Sequence, residues 1–208
     1  MVAVIAVVLS LCAGSAGYAG DSETIIDLWE KAKAPDAVEL KGVKLDPRKT
    51  AFLILDIEEL TCNPDRRPRC IASVPHIKKF LGYARKNRVF VVYSLTSRGT
   101  PKSILEDVAP AGNEPIVKSS VDKFYNTDLE NILRKRNIET VVISGTTAEG
   151  AVIHTATGAA MRGLNVIVPV DGMSAGTLYA EQYTAWHLVN APGSKRQTTL
   201  TKFDLIEF

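Results

Sequence analysis

Nearly unbroken apolar runs of strand length alternate along this chain with amphipathic segments of helix length, and that alternation constrains its fold more than any other feature. Residues 51–55, 89–93, 140–144 and 166–170 are such runs. A strand that is apolar on both faces has to be covered on both, as strands in a parallel sheet are. Within residues 75–86, Ile77, Phe80, Leu81 and Ala84 stand at i, i+3, i+4 and i+7, which is one face of a helix. Thr127-x-x-Glu130 reads as a capping box opening a helix with Leu129, Ile132 and Leu133 inward. Residues 148–162 read as a small-residue helix closed by Gly163, and residues 179–190 as a last helix. Shorter strands are expected at 115–118 and 197–201, and a long loop at 97–112. Strand and helix in this order imply right-handed crossovers. The expected fold class is α/β: a three-layer αβα sandwich with a mostly parallel, Rossmann-like sheet of about six strands.

The 208 residues carry 25 Lys+Arg against 23 Asp+Glu, and 7% are aromatic. A balance so near neutrality lacks the basic stripe of a nucleic-acid binder, and so few aromatics make no base-stacking platform. The expected partner is a small molecule, not nucleic acid. Apolar residues make up 46% of the chain, ample for a core. Some of them sit in an uncharged leader, where residues 2–11 are apolar except Ser10. That run is about half the length of a membrane span. Gly17-Tyr18-Ala19 follows as a small-x-small cleavage pattern. The expected organisation is a signal peptide at 1–19, an N-terminal extension with a short helix at 20–49, and the main domain at 50–208. Such a chain is periplasmic or secreted, with no membrane contact after cleavage. Cleavage removes Cys12 and leaves Cys62 and Cys70. Outside the cytosol this pair can close its loop as a disulfide. The other reading is two free thiols. Two cysteines with no nearby histidine cannot fill a zinc site.

In parallel sheets, ligands bind beyond the carboxyl ends of the strands. The residues that follow the apolar runs here are Asp56, Ser94, Lys118, Gly145-Thr146-Thr147 and Asp171. Asp56 and Lys118 are the two suited to proton chemistry. Burial raises a carboxyl pKa and a nearby ammonium lowers it, and the balance can bring the group into range for general acid work. The plainer reading of Asp56 is a loop cap or an arginine partner. Lys123, next to Phe124, is the rival amine and is expected to point outward. The small residues of 145–151 allow backbone N–H groups to face a carboxylate or an oxyanion. Glu58 and Arg98 flank these positions and are candidates to line the pocket, Arg98 toward an anionic substrate. His76, His154 and His187 share no ligand spacing, so no metal and no cofactor are expected.

Four segments, in order, resemble the isochorismatase-like hydrolase superfamily. They are Leu53-Ile54-Leu55-Asp56-Ile57-Glu58-Glu59-Leu60; Lys118 with Phe124 and Asn126-Thr127-Asp128-Leu129; residues 141–149; and Thr155-Ala156 through Val170-Asp171-Gly172-Met173-Ser174-Ala175. The resemblance covers roughly residues 50–190. It implies that Asp56 is catalytic, that Lys118 is its partner, and that Thr146–Thr147 is a cis-peptide site presenting backbone donors to substrate. It also implies a cysteine nucleophile in the first helical turn after Glu149. This chain has Ala151 there, and an alanine cannot attack a carbonyl. The Asp-x-His metal pattern of nicotinamidases is likewise missing from residues 93–98. Isochorismatases hydrolyse a vinyl ether without a thiol. The expected function is therefore that of an exported hydrolase acting on a small, carboxylate-bearing molecule by Asp/Lys acid–base chemistry. The competing reading is a non-catalytic small-molecule binding protein, a pseudoenzyme on the same fold. By analogy with the superfamily, a homo-oligomer is expected, with Tyr183 and Trp186 in the core or at a subunit contact.

Overall fold

The computed structural model describes residues 23–208; the expected signal peptide lies outside them. The chain divides into two compact units, Met1–Asp36 and Ala37–Phe208. In the first, the short helix expected in the N-terminal extension is reduced to a turn and one 3₁₀ turn, Trp29–Lys31. Ile25, Ile26 and Trp29 are exposed there. A short helix that buries no apolar face is marginal in water. The second unit takes in residues 37–49, which the sequence reading gave to the extension. Lys41 N–H donates to Leu200 O across 2.9 Å, tying this segment to the rest of the unit.

The elements of the second unit, in order, are β1 (Val43–Lys44), β2 (Thr50–Leu55), α1 (Pro68–Lys86), β3 (Phe90–Leu95), β4 (Ile116–Lys118), α2 (Leu129–Arg134), β5 (Thr140–Thr146), α3 (Ile153–Met161), β6 (Asn165–Pro169), β7 (Met173–Ser174), α4 (Leu178–Asn190), β8 (Thr198–Thr201) and β9 (Ile206–Glu207). The main sheet has seven strands in the order β4-β3-β2-β5-β6-β8, with β7 pairing β5, and every pairing is parallel. β1 and β9 form a separate parallel pair.

Alternation along the strands separates two cores. Ala51, Leu53 and Leu55 of β2, with Val141 and Ile143 of β5, face the layer of α2, α3 and α4. Phe52 and Ile54, with Val142, face α1. The ring of Phe80 on α1 stacks on Phe203 at 4.6 Å and meets the edge of Phe52 at 5.0 Å. The result is the expected three-layer sandwich, with one strand more than expected.

Three local readings are corrected. Helix α1 begins at Pro68, not Pro75, which lies inside it. Either proline suits a first helical position, where no N–H is needed. The earlier start is the one that buries Cys70, Ser73 and Val74. The Thr127–Glu130 capping box does not form. Thr127 Oγ1 instead accepts from Leu129 N–H at 3.2 Å, and Glu130 is taken by Arg134 and Arg162. The helix expected at 148–162 opens as a π turn, Ala148–Val152, before α3.

Candidate active site

From β2 the chain winds outward through β3 and β4, then returns to start β5 on the other side of β2. The carboxyl ends of β2 and β5 therefore flank a topological switch point, where crevices form in open α/β sheets. Leu55 pairs with Gly145, so Asp56 and Thr146 leave adjacent strand ends. This approach requires a glycine. A Cβ on Gly145, which has φ +130°, would lie 2.1 Å from Leu55 O.

Asp56 has a left-handed backbone, φ 54°, and is 4% exposed. Ser94 Oγ, at the end of β3, donates to its Oδ1 at 2.7 Å, and Lys123 Nζ donates to its Oδ2 at 2.8 Å. The Thr61 hydroxyl donates to the Asp56 carbonyl, which fixes the turn behind the carboxylate. Lys123 is fully buried, and its ammonium also donates to Ser119 O and Ser120 O. Three acceptors thus match its three donors. The Lys123 N–H is held in turn by Thr155 Oγ1 of α3 at 3.2 Å. Burial is the leading influence on the Asp56 carboxyl and holds it above its ordinary value. The Lys123 charge, and the bonds from Lys123 and Ser94, pull it back. A carboxyl poised this way can hold a proton and release it.

The amine beside Asp56 is therefore Lys123 and not Lys118. In β4 Val117 is buried and Lys118 points the other way, into solvent, as the pleat requires. The turn after β4 then carries Lys123 back beneath the end of β2. Glu58 is also corrected. It is wholly buried, and its carboxylate accepts from Thr96 N–H (3.1 Å), Thr96 Oγ1 (2.6 Å) and Ser103 Oγ (2.9 Å). It anchors the loop after β3 and does not line the pocket. Arg98 is exposed on that loop, in a recess of about 430 Å³ whose lining includes Glu59, Leu60 and Thr100 but neither Asp56 nor Lys123.

The Thr146–Thr147 bond is cis. Thr146 is buried, with its hydroxyl donating to Ser174 O at 3.2 Å. Thr147 O accepts from Gly150 N–H (3.0 Å) and Val152 N–H (3.1 Å), which forms the π turn. Ala151 stands in that turn, 3% exposed, with only a methyl group at the position where the resemblance implies a nucleophile. Cys62 and Cys70 are joined as a disulfide across a Cα–Cα distance of 5.3 Å, which decides against two free thiols.

Their loop also supplies a residue that the sequence reading missed. Arg67 is half-buried, and its Nη1 donates to Thr61 O at 2.8 Å. Burial and the neighbouring Arg66 lower its guanidinium pKa, while the charges of Glu149 and Asp56 act to raise it. The available signal was indirect: an arginine inside a short loop that the cysteine pair folds back toward Asp56. Among the described residues, no group of three or more His, Cys, Asp or Glu side chains is placed to hold a metal ion. Nor is any helix there long and apolar enough to cross a membrane.

A family model described as "Isochorismatase domain" matches residues 50–200. An N-carbamoylsarcosine amidase of Arthrobacter sp is 29% identical over 92 residues, 44% of this chain and 35% of that protein. The isochorismatase family protein YecD of Escherichia coli O157:H7 is 40% identical over 68 residues, 33% of this chain and again 35% of the relative. The chain thus matches about a third of the length of each of these curated relatives. Among solved structures, an isochorismatase family protein of Desulfovibrio vulgaris superposes with a TM-score of 0.68 at 22% identity, over 76% of this chain and 95% of that one. The family match spans Asp56, Lys123 and the Thr146–Thr147 turn, and the chain belongs to the isochorismatase domain family.

Proposed function

We propose that this chain is an exported hydrolase that cleaves a small, carboxylate-bearing molecule by acid–base chemistry, without a cysteine nucleophile. The observation that carries this reading is the Asp56–Lys123 pair, buried at the switch point beside a turn whose nucleophile position is Ala151. Alanine excludes an acyl-enzyme at that position. It leaves chemistry in which a proton makes the electrophile and water attacks. In a vinyl ether, Asp56 gives its proton to the terminal alkene carbon, and the π pair forms the new C–H bond. Water then adds to the oxocarbenium carbon and returns a proton to Asp56. The resulting hemiketal collapses to an alcohol and a carbonyl compound. Lys123 stabilises the Asp56 carboxylate left after protonation, and backbone groups of the Thr146–Thr147 turn orient the substrate. An amidase route, suggested by the N-carbamoylsarcosine amidase relative, lacks its thiol here.

The test is a panel of vinyl ethers, esters and amides run on the mature protein and three variants. Asp56→Asn and Lys123→Met are expected to lower kcat by roughly 100-fold or more, the scale of general acid catalysis. Lys118→Met is expected to leave kcat unchanged. Full activity in Asp56→Asn overturns the mechanism. No turnover of any substrate by the wild type favours the binding-protein reading.

A further inference from the structure

We propose that Arg67 is the residue that reads the substrate's carboxylate, and that the Cys62–Cys70 disulfide is what holds it at the mouth of the Asp56 site. The inference deepens the function proposed above and rests on that reading. Arg67 is joined to the site through a single residue. Its Nη1 donates to Thr61 O, and the Thr61 hydroxyl donates to Asp56 O. Cys62, the next residue, is fixed by its N–H on Glu58 O at 2.8 Å and by the disulfide to Cys70 in the first turn of α1. The Arg67 N–H donates to Asn63 O at 2.8 Å, which closes the loop on itself. Pro68 follows, and a proline restricts the backbone of the residue before it. The guanidinium is thus delivered by a loop with little freedom.

What distinguishes Arg67 is the missing anion. Arg85, also half-buried, has Glu114 at 2.7 Å, and Arg69, two positions along, has Glu181. Among the described residues no carboxylate forms a salt bridge with Arg67, and the only hydrogen bond of its guanidinium is to Thr61 O. Its remaining N–H donors form the planar fork that pairs with a carboxylate in two parallel bonds. Lys123 spends its three donors on Asp56, Ser119 O and Ser120 O, so it has none left to bind an incoming anion. The half-buried guanidinium has Glu149 and Asp56 within electrostatic reach but is in contact with neither, which leaves its fork open to a substrate carboxylate.

The experiment compares benzoate with its neutral isostere benzamide, by ligand-observed NMR titration of the wild type, Arg67→Met and Arg67→Lys. The wild type is expected to favour benzoate at least tenfold, Arg67→Met to lose that preference, and Arg67→Lys to keep part of it. A wild type without the preference, or an Arg67→Met protein that retains it, overturns the assignment. Reduction of the disulfide is expected to shrink the preference several-fold while the far-ultraviolet circular dichroism is unchanged. An undiminished preference removes the disulfide from the proposal. With a substrate from the panel, Arg67→Met is expected to raise KM about tenfold or more with kcat nearly constant, whereas Asp56→Asn lowers kcat. If Asp56→Asn stays active while the benzoate preference still depends on Arg67, the acid assignment falls and the Arg67 assignment stands.

Discussion

Asp56 is a carboxyl group whose surroundings both oppose its charge and support it. Burial opposes, Lys123 and Ser94 support, and the net result is a pKa raised above the ordinary 3.8. The folded protein therefore binds this proton more tightly than the unfolded chain does. Its contribution to stability is complete below the unfolded value and is lost as pH rises through the raised folded value. Urea titrations from pH 4 to pH 8 are expected to show the wild type losing stability relative to Asp56→Asn as pH rises. A difference that grows in the other direction would show that the Lys123 pair outweighs burial. The same direction applies to catalysis, where an acid must be protonated to act, so kcat/KM is expected to fall on the alkaline side. Asp56 was legible in the sequence because a lone carboxylate ended a run that had to be buried. Lys123 was not chosen because its place depends on an irregular turn. The pleat that turns Lys118 outward is a strand property and can be read from Val117, but nothing periodic says that residues 119–123 double back.

Elements buried on both faces were the easiest to read. β2, β3, β5 and β6 all match the unbroken apolar runs, their ends shifting by no more than a few residues. The two-residue strands β1, β7 and β9 escaped because two residues carry no period. The π turn at Ala148–Val152 escaped because small residues suit any helical winding, and only the i+5 bond from Val152 N–H to Thr147 O sets it apart. The junction of β2 and β5 is the element pair that positions the site, and Gly145 is its narrowest point. A Gly145→Ala change adds a Cβ against the Leu55 carbonyl, a backbone atom that cannot rotate away. It does so at a φ that alanine rarely adopts. The variant is expected to lose about 3 kcal/mol or more in urea unfolding, or to fail to accumulate as folded protein. A loss below about 1 kcal/mol would mean that the two strands can part there at little cost.

For the whole molecule, the export proposed above and the Cys62–Cys70 disulfide point to one compartment. The chain has three cysteines: Cys12 in the uncharged N-terminal run, and Cys62 and Cys70 at the ends of the loop that carries Arg67. Disulfides persist outside the cytosol and are rare within it. Cleavage after Ala19, as proposed, would remove Cys12 and leave only the bonded pair. Processing and oxidation together should leave a chain with no free thiol. Produced with its leader in a bacterium that has a periplasm, the protein is expected to begin at Gly20. In denaturant it should titrate no thiols before reduction and two after. An unprocessed chain would show one and three. Closing a loop this short stabilises a fold by about 2–3 kcal/mol in the loop-entropy model, so reduction should shift the urea midpoint by a corresponding amount. A chain that keeps Met1 and shows three free thiols would place the protein in a reducing compartment. Arg67 would then stand on an open loop, and the substrate's carboxylate would meet a mobile guanidinium, not a fixed one.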